Sequence, residues 1–194
     1  MALRAQIRNS LAIALVAAGC SSAPHSPQWQ SNAAASLQVF QQRYLAGDAK
    51  GAEDAFAFAR SELAATGRAD LVARAELIRC AAQVASLVFE PCPGFEALRA
   101  DASAEERNYA DYLAGRVPRA ASSEPFSQLV AYGVQMRATT IAPQGIAAAV
   151  DISSAQGWRR PLLAWLGVQL KRAEAAGDSE TAARLKRRME LVSG

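Results

Sequence analysis

The amino-acid sequence predicts an all-α protein. Through most of the chain apolar residues recur every three or four positions, as at Leu37, Phe40 and Tyr44, which is the spacing of one helix face. The chain is rich in alanine and lacks the apolar–polar alternation that is typical of half-buried strands. Short joints containing glycine separate the periodic segments, and such joints favour antiparallel pairs of neighbouring helices.

The first half of the chain contains three predicted helices followed by a turn. The first helix should end at Gly47, and Asp48 is a natural N-cap for the second. The third is apolar nearly all round after Leu77, which predicts a central, buried helix. It should end near Leu87, before the turn EPCPG at 90–94, after which only a short helix fits.

Start signals also mark the helices of the second half. Ser103 and Glu106 have the spacing of a capping box, which predicts a helix over about 104–114. The next start signal is Ser123-Glu124-Pro125, a cap followed by a proline in the first turn. The remaining helices are expected over about 144–155, from Arg160 to near Gly177, and from Asp178 or Ser179 onward.

Three of the joints read alike, with a helix end, a glycine, a polar residue and a new helix. Their glycines are Gly47, Gly67 and Gly177. These joints resemble those of tetratricopeptide (TPR) repeats, and Trp165-Leu166-Gly167 is similar to the Trp-Leu-Gly pattern of that family's first helix. The period is not 34 residues throughout. We therefore expect about seven to eight helices, arranged either as a TPR-like solenoid or as an irregular helical bundle.

The N-terminal segment has the organisation of an export signal. Arg4 and Arg8 precede the eight apolar residues 11–18, a run shorter than the roughly 20 residues that a membrane-spanning helix needs. The sequence LVAAGCS at 15–21 resembles the lipobox of bacterial lipoproteins, although Ala17 stands where that family most often has leucine. The resemblance implies that residues 1–19 are a signal peptide and that Cys20 is acylated and anchors the chain to a membrane.

The lipobox resemblance also implies a location. Ser21 after the cysteine points to the outer membrane of the bacterial envelope, with the protein facing the periplasm. Residues 20–35 are mostly small and polar, which predicts a flexible tether, and residues 36–194 are then expected to form a single all-helical domain.

Charge gives little support for binding to nucleic acid. Loss of Arg4 and Arg8 leaves 19 basic and 18 acidic residues, a formal charge of about +1. The charge is unevenly placed, because residues 48–111 hold 7 basic and 12 acidic residues whereas residues 159–194 hold 8 and 4. Such a polarised surface can steer a partner, and solvated helix faces are the alternative explanation.

The three cysteines divide into one anchor and one pair. With Cys20 acylated, Cys80 and Cys92 remain in an oxidising compartment, where we expect a disulfide. The alternative is two separately buried thiols. Bridged Cα atoms lie roughly 4.4–6.8 Å apart, so a disulfide requires the third helix to end before Phe89 and the chain to fold back.

The sequence offers no constellation for catalysis or for metal binding. The single imidazole, His25, lies in the predicted tether. No His, Cys and carboxylate residues have metal-ligand spacing, and neither a Ser-His-Asp set nor a glycine-rich phosphate loop is present. We therefore expect a protein without enzyme activity, metal or cofactor.

Aromatic and basic residues are the candidates for binding a partner, because tryptophan, tyrosine and arginine are enriched at binding hot spots. The candidates are Trp158, Arg159, Arg160, Trp165, Tyr109 and Tyr112. The alternative is that the aromatic members belong to the core. A basic run containing Arg184, Lys186, Arg187 and Arg188 suits either anionic lipid headgroups or a helix C-terminus.

Two functions follow from the TPR and lipobox resemblances, by analogy with the fold. The first is a lipid-anchored, periplasm-facing adaptor that binds envelope proteins during assembly or secretion. The alternative is a lipid-anchored carrier that encloses a small apolar ligand. An open groove lined by Trp158, Arg159 or Tyr112 favours the adaptor, whereas a closed cavity of several hundred Å³ favours the carrier.

Overall fold

The structure is a computed structural model that describes residues 27–194. The part described is all-α and contains no strand, which confirms the predicted fold class. Its helices are α1 (Gln28–Ala46), α2 (Ala49–Ala64), α3 (Ala69–Ala85), α4 (Pro93–Glu96), α5 (Ala104–Leu113), α6 (Pro125–Arg137), α7 (Pro143–Ala155), α8 (Arg159–Ala175) and α9 (Ser179–Ser193).

Most helices begin where the sequence predicts, because a cap is a local interaction. The side chains of Asp48 and Asp178 each accept a hydrogen bond from a backbone N–H of the first turn of α2 and α9. Ser103 and Glu106 form the predicted capping box at α5. At α6 the capping residue is Glu124, whose carboxylate accepts from two backbone N–H groups.

Helix α1 begins earlier than the composition suggested. It starts at Gln28, so residues 28–35 belong to the helical domain and the predicted tether of residues 20–35 is too long. The physical reason is tertiary packing. Ala33 is buried and Trp29 packs beside it, at helical spacing from Leu37, so this small and polar segment has an apolar face.

Two hydrophobic clusters share helix α3. The first cluster joins α1 and α2 to one face of α3 and is centred on Phe40 and Phe56, whose ring centroids lie 5.2 Å apart. The second extends from the opposite face of α3 to α9 and includes Leu129 and Trp165. Since α3 is buried on both faces, the prediction of a central helix is confirmed.

The chain closes on itself rather than extending as a solenoid. In a solenoid each repeat contacts only its sequence neighbours. Here the Arg160 guanidinium at the start of α8 donates a hydrogen bond from Nε to the Tyr44 carbonyl near the end of α1, at 2.8 Å. Helices α1 and α8 pack against each other. Of the two architectures left open by the sequence, the structure is therefore the irregular helical bundle.

A disulfide joins Cys80 to Cys92, with the Cα atoms 6.0 Å apart. Helix α3 ends at Ala85, and Leu87 takes a left-handed conformation with φ 60° that turns the chain back. The fold-back required by the pairing is therefore present. Among residues 27–194 no helix has both the length and the apolar character to cross a membrane.

Candidate functional site

Two of the predicted binding residues belong to the core. Trp165 is completely buried, and its indole Nε1 donates a hydrogen bond to the Ala85 carbonyl at 3.1 Å, which satisfies an end carbonyl of α3. Tyr112 is 5% exposed and packs on Tyr109 with the ring centroids 5.8 Å apart. Trp165 is therefore not free to contact a partner in this structure.

Two further candidates, Arg160 and Trp158, hold α8 against the rest of the bundle. The Arg160 guanidinium lies 4.3 Å from the centroid of the Tyr44 ring, a cation–π geometry, in addition to its hydrogen bond to the carbonyl of the same residue. Trp158 is half-buried and stands edge-on to Phe126, with the centroids 6.2 Å apart. Arg159 is exposed and lies beside the turn at Gly47. Arg160 and Trp158 are therefore engaged within the protein, whereas the Arg159 side chain makes no hydrogen bond or ion pair among residues 27–194.

Tyr109 lines a large open site, and Tyr112 lines a separate cavity of about 340 Å³. Tyr109 lies in a groove of about 760 Å³ that runs between α1, α3, α5 and the start of α6, and that we call the aromatic groove. Several lining residues are exposed, so the groove is open to solvent along its rim. Its lining residues are Ala34, Leu37, Gln38, Gln41, Arg74, Leu77, Ile78, Ala81, Glu105, Glu106, Tyr109, Arg119, Phe126 and Ser127.

The aromatic groove lies over the seam between the two hydrophobic clusters. Leu37 and Ile78 belong to the edge of the first cluster, and Leu77 and Tyr109 to the second. Phe126 packs against both. Clefts between packed units are common places for binding sites because neither unit covers the apolar surface along their junction.

A fixed ion pair stiffens one wall of the aromatic groove. Glu106 is buried, and its Oε1 accepts a hydrogen bond from Arg74 Nε at 3.1 Å. Its other oxygen, Oε2, accepts from the Ser103 backbone N–H at 2.8 Å in the capping box. Both carboxylate oxygens are therefore occupied, so this acid positions the Arg74 side chain rather than awaiting a ligand.

Tyr109 and Arg119 supply polar groups at the same groove. The Arg119 guanidinium lies 5.1 Å from the centroid of the Tyr109 ring, and burial raises the pKa of the Tyr109 hydroxyl to about 12. The hydroxyl therefore stays protonated at neutral pH. It makes no hydrogen bond within residues 27–194, so it can donate one to a bound molecule.

The lining of the aromatic groove suits binding rather than covalent chemistry. It contains no imidazole and no thiol, and its apolar floor is bordered by amide, guanidinium and carboxylate groups. Across the part of the chain that the structure describes, no group of three or more metal-ligating side chains comes together. The lipobox residues, Cys20 and His25 lie outside the described residues.

Phe126, Arg74 and Arg119 were not among the predicted binding residues. Phe126 follows Pro125 in the first turn of α6, where the sequence contains a start signal but no sign of the groove. Arg74 meets Glu106 across 32 positions, and such a pair leaves no local pattern. The i, i+3 pair Tyr109 and Tyr112 was the sequence signal that identified this region.

Comparisons with protein-family models, with curated proteins and with solved structures give no match to this chain. Residues 27–194 form an irregular all-α bundle with an open groove.

Proposed function

We propose that this protein is an outer-membrane lipoprotein that faces the periplasm and acts as an adaptor in envelope assembly or secretion. Cys20 is its acylated anchor, and the aromatic groove binds an apolar segment of a partner protein. The observation that carries the proposal is the open groove itself, which has an apolar floor and lies over the seam of the two clusters. An open, partly polar rim suits a chain segment that enters and leaves the groove at its ends.

The disulfide supports an envelope location. Structural disulfides persist in oxidising compartments such as the periplasm and are rare in a reducing cytosol. The Cys80–Cys92 bridge joins the end of α3 to the turn before α4. With this pair joined, Cys20 is the one cysteine left over among the three of the sequence, as an acylated residue would be.

The start of α1 sets how far the domain can lie from its anchor. Pro27 lies seven positions after Cys20, a distance of at most about 25 Å for a fully extended chain. The aromatic groove, which α1 lines, is therefore held close to the membrane surface. This supports a partner that is itself in or near the outer membrane.

The rim of the groove defines the chemistry of the partner segment. Arg74 and Glu106 neutralise each other, which leaves Arg119 and Glu105 as charges of opposite sign. The segment should therefore be mainly apolar and carry little net charge. Its polar groups should accept a hydrogen bond from the Tyr109 hydroxyl.

Blocking the groove from α1 tests the adaptor proposal. Ala34 lines the groove and is exposed, so Ala34→Trp should fill the groove without disturbing the core. Ala35 is also exposed on α1 but does not line the groove, so Ala35→Trp is the matched control. The readout is photocrosslinking in intact cells from a photoreactive residue placed at Gln41, with Gln42 as the reference position outside the groove.

We expect a defined protein adduct from position 41 that is absent at position 42. Ala34→Trp should abolish it and Ala35→Trp should retain it. Equal adducts from positions 41 and 42, or an adduct that survives Ala34→Trp, would contradict a groove-bound partner. Recovery of a small apolar molecule in place of a protein would favour the carrier function instead.

The anchor has a separate test. Cys20→Ser removes the thiol that would be acylated, so the protein should leave the membrane fraction or remain unprocessed. Normal processing together with membrane retention equal to that of the natural chain would refute the anchor while leaving the groove result unaffected.

A further inference from the structure

A second concave site lies at the opposite end of the chain, between the start of α7 and the hairpin of α8 and α9. It has a volume of about 520 Å³. Its floor includes the buried side chains of Ile146, Ala173 and Leu185, and its rim carries Arg172, Arg184 and Arg188. We call it the arginine cleft.

The three arginines reach the cleft because of helix geometry. Arg184 and Arg188 stand four residues apart on α9 and therefore share one face, whereas Arg172 comes from α8. The basic run of α9 is thus divided. Lys186 lies between them in sequence but pairs with Glu174 at 2.9 Å, and Arg187 does not line the cleft.

No carboxylate of residues 27–194 lies within ion-pair distance of these three guanidinium groups. Arg184 donates to the Thr181 hydroxyl at 3.2 Å, and Arg188 donates to the Ser154 hydroxyl at 3.3 Å. Both acceptors are neutral. Each guanidinium has five N–H donors, so most of the donors of the cluster remain available to a bound anion.

One acid, Asp178, lines the cleft itself; hydrogen bonds from Thr181 chiefly lower the pKa of this carboxyl, and the charge of Arg184 adds to the effect. Asp178 accepts a hydrogen bond from the Thr181 backbone N–H at 2.9 Å as the N-cap of α9. Glu174 is held by Lys186. Three arginines against this one lining carboxylate leave the cleft with an excess of positive charge, and a bound anion reduces the repulsion between them.

From this arrangement we infer that the arginine cleft binds a phosphate group. Guanidinium groups match phosphate oxygens bidentately, and the Gln169 amide and Thr181 hydroxyl of the lining add neutral hydrogen-bonding groups. The phosphate belongs either to a lipid headgroup or to a soluble phosphate compound. This site is separate from the aromatic groove and does not depend on the adaptor function.

A pair of charge-matched variants tests the inference. Arg172→Gln with Arg188→Gln removes one cleft arginine from each helix. Lys171→Gln with Arg187→Gln removes the same charge from α8 and α9 at exposed positions that do not line the cleft. All variants are made in the chain from residue 20 onward carrying Cys20→Ser, so that neither an acyl chain nor the apolar residues 11–18 contribute to vesicle binding.

Two assays distinguish the sources of the phosphate. The first measures inorganic phosphate binding by titration calorimetry at constant ionic strength. The second measures flotation with phosphatidylglycerol vesicles, with phosphatidylcholine vesicles as the uncharged reference. We expect the cleft variant to weaken binding by about tenfold or more for each arginine removed, because each loses a charge-assisted contact. The matched control should bind as tightly as the parent chain.

Loss in the calorimetric assay identifies a soluble phosphate ligand, and loss confined to flotation identifies a headgroup. Equal weakening by both variants would show general charge attraction and overturn the site. Absence of binding in both assays would also overturn it. Circular dichroism of each variant checks that the helices are intact.

Discussion

Gly133 of α6 lies directly against the backbone carbonyl of Val84 in α3. A Cβ at this position would meet the Val84 carbonyl oxygen and its carbonyl carbon, both of which belong to a helix backbone that cannot move alone. The absence of a side chain lets α6 cross close to the central helix, with Leu129 and Val130 buried on the same face. The close crossing of α6 over α3 therefore requires glycine at position 133.

Gly133→Ala should destabilise the protein by about 1–3 kcal/mol, the usual cost of overpacking a core. Gly167 is the matched control, since it also lies inside a helix but has open space where a Cβ would stand. Gly167→Ala should stabilise by about 1 kcal/mol through helix propensity. Urea unfolding followed by circular dichroism measures both, and changes of the same sign would contradict the close crossing.

Trp165→Phe should destabilise the protein by roughly 2–4 kcal/mol. The substitution leaves space in a fully buried site and removes the hydrogen bond to the Ala85 carbonyl, which then has no donor from the indole. Trp158→Phe is the control, because this ring is only half-buried and should cost about 1 kcal/mol or less. Equal losses of unfolding free energy in the two variants would contradict a larger contribution to stability from the buried Trp165 side chain and its hydrogen bond.

Removal of the disulfide should cost about 3 kcal/mol, since the bridge closes a short loop and restricts the unfolded chain. The double variant Cys80→Ala and Cys92→Ala should unfold at a correspondingly lower urea concentration. Dithiothreitol should lower the midpoint of the natural chain and leave that of the variant unchanged. An effect of the reductant on the variant would point to some other cause.

Stability should fall on acidification, in part through Asp111. The hydrogen bond from Arg116 chiefly lowers the pKa of this carboxyl in the folded state, and Arg99 adds to the effect at 3.2 Å. A lowered pKa gives stability that is present above the unfolded-state pKa of about 3.9 and is lost as pH falls through the folded value. The contribution should therefore begin to fall below about pH 4 and be gone only below the folded-state pKa.

Asp111→Asn should make the acid limb of a stability–pH profile shallower. Urea midpoints measured at several values between neutral pH and about pH 2.5 give that profile. Asp101→Asn, at an exposed acid without an ion pair in the described part of the chain, is the control and should leave the slope unchanged. If the stability–pH slope of Asp111→Asn equals that of the natural chain, this carboxyl does not contribute to the loss of stability in acid.

Local signals in the sequence predicted most helix boundaries, whereas long-range packing decided the site. The caps at Asp48, Ser103 and Asp178 act within four residues, so the sequence displays them directly. By contrast, no local pattern around Arg160 indicates its partner. Its hydrogen bond to the Tyr44 carbonyl forms only when α8 packs against α1. The early start of α1 likewise rests on contacts of Trp29 and Ala33 with residues far along the chain.

The bridge from Tyr44 to Arg160 also sets an order of events during folding. The two residues are 116 positions apart, so a chain that emerges N-terminus first presents α1 and α2 long before α8 exists to join them. Closing so long a loop carries an entropic cost and slows folding relative to purely local contacts. Until α8 is present, the end of α1 lacks its contact with Arg160. At that stage the N-terminal helices leave apolar surface exposed, to which a chaperone could bind.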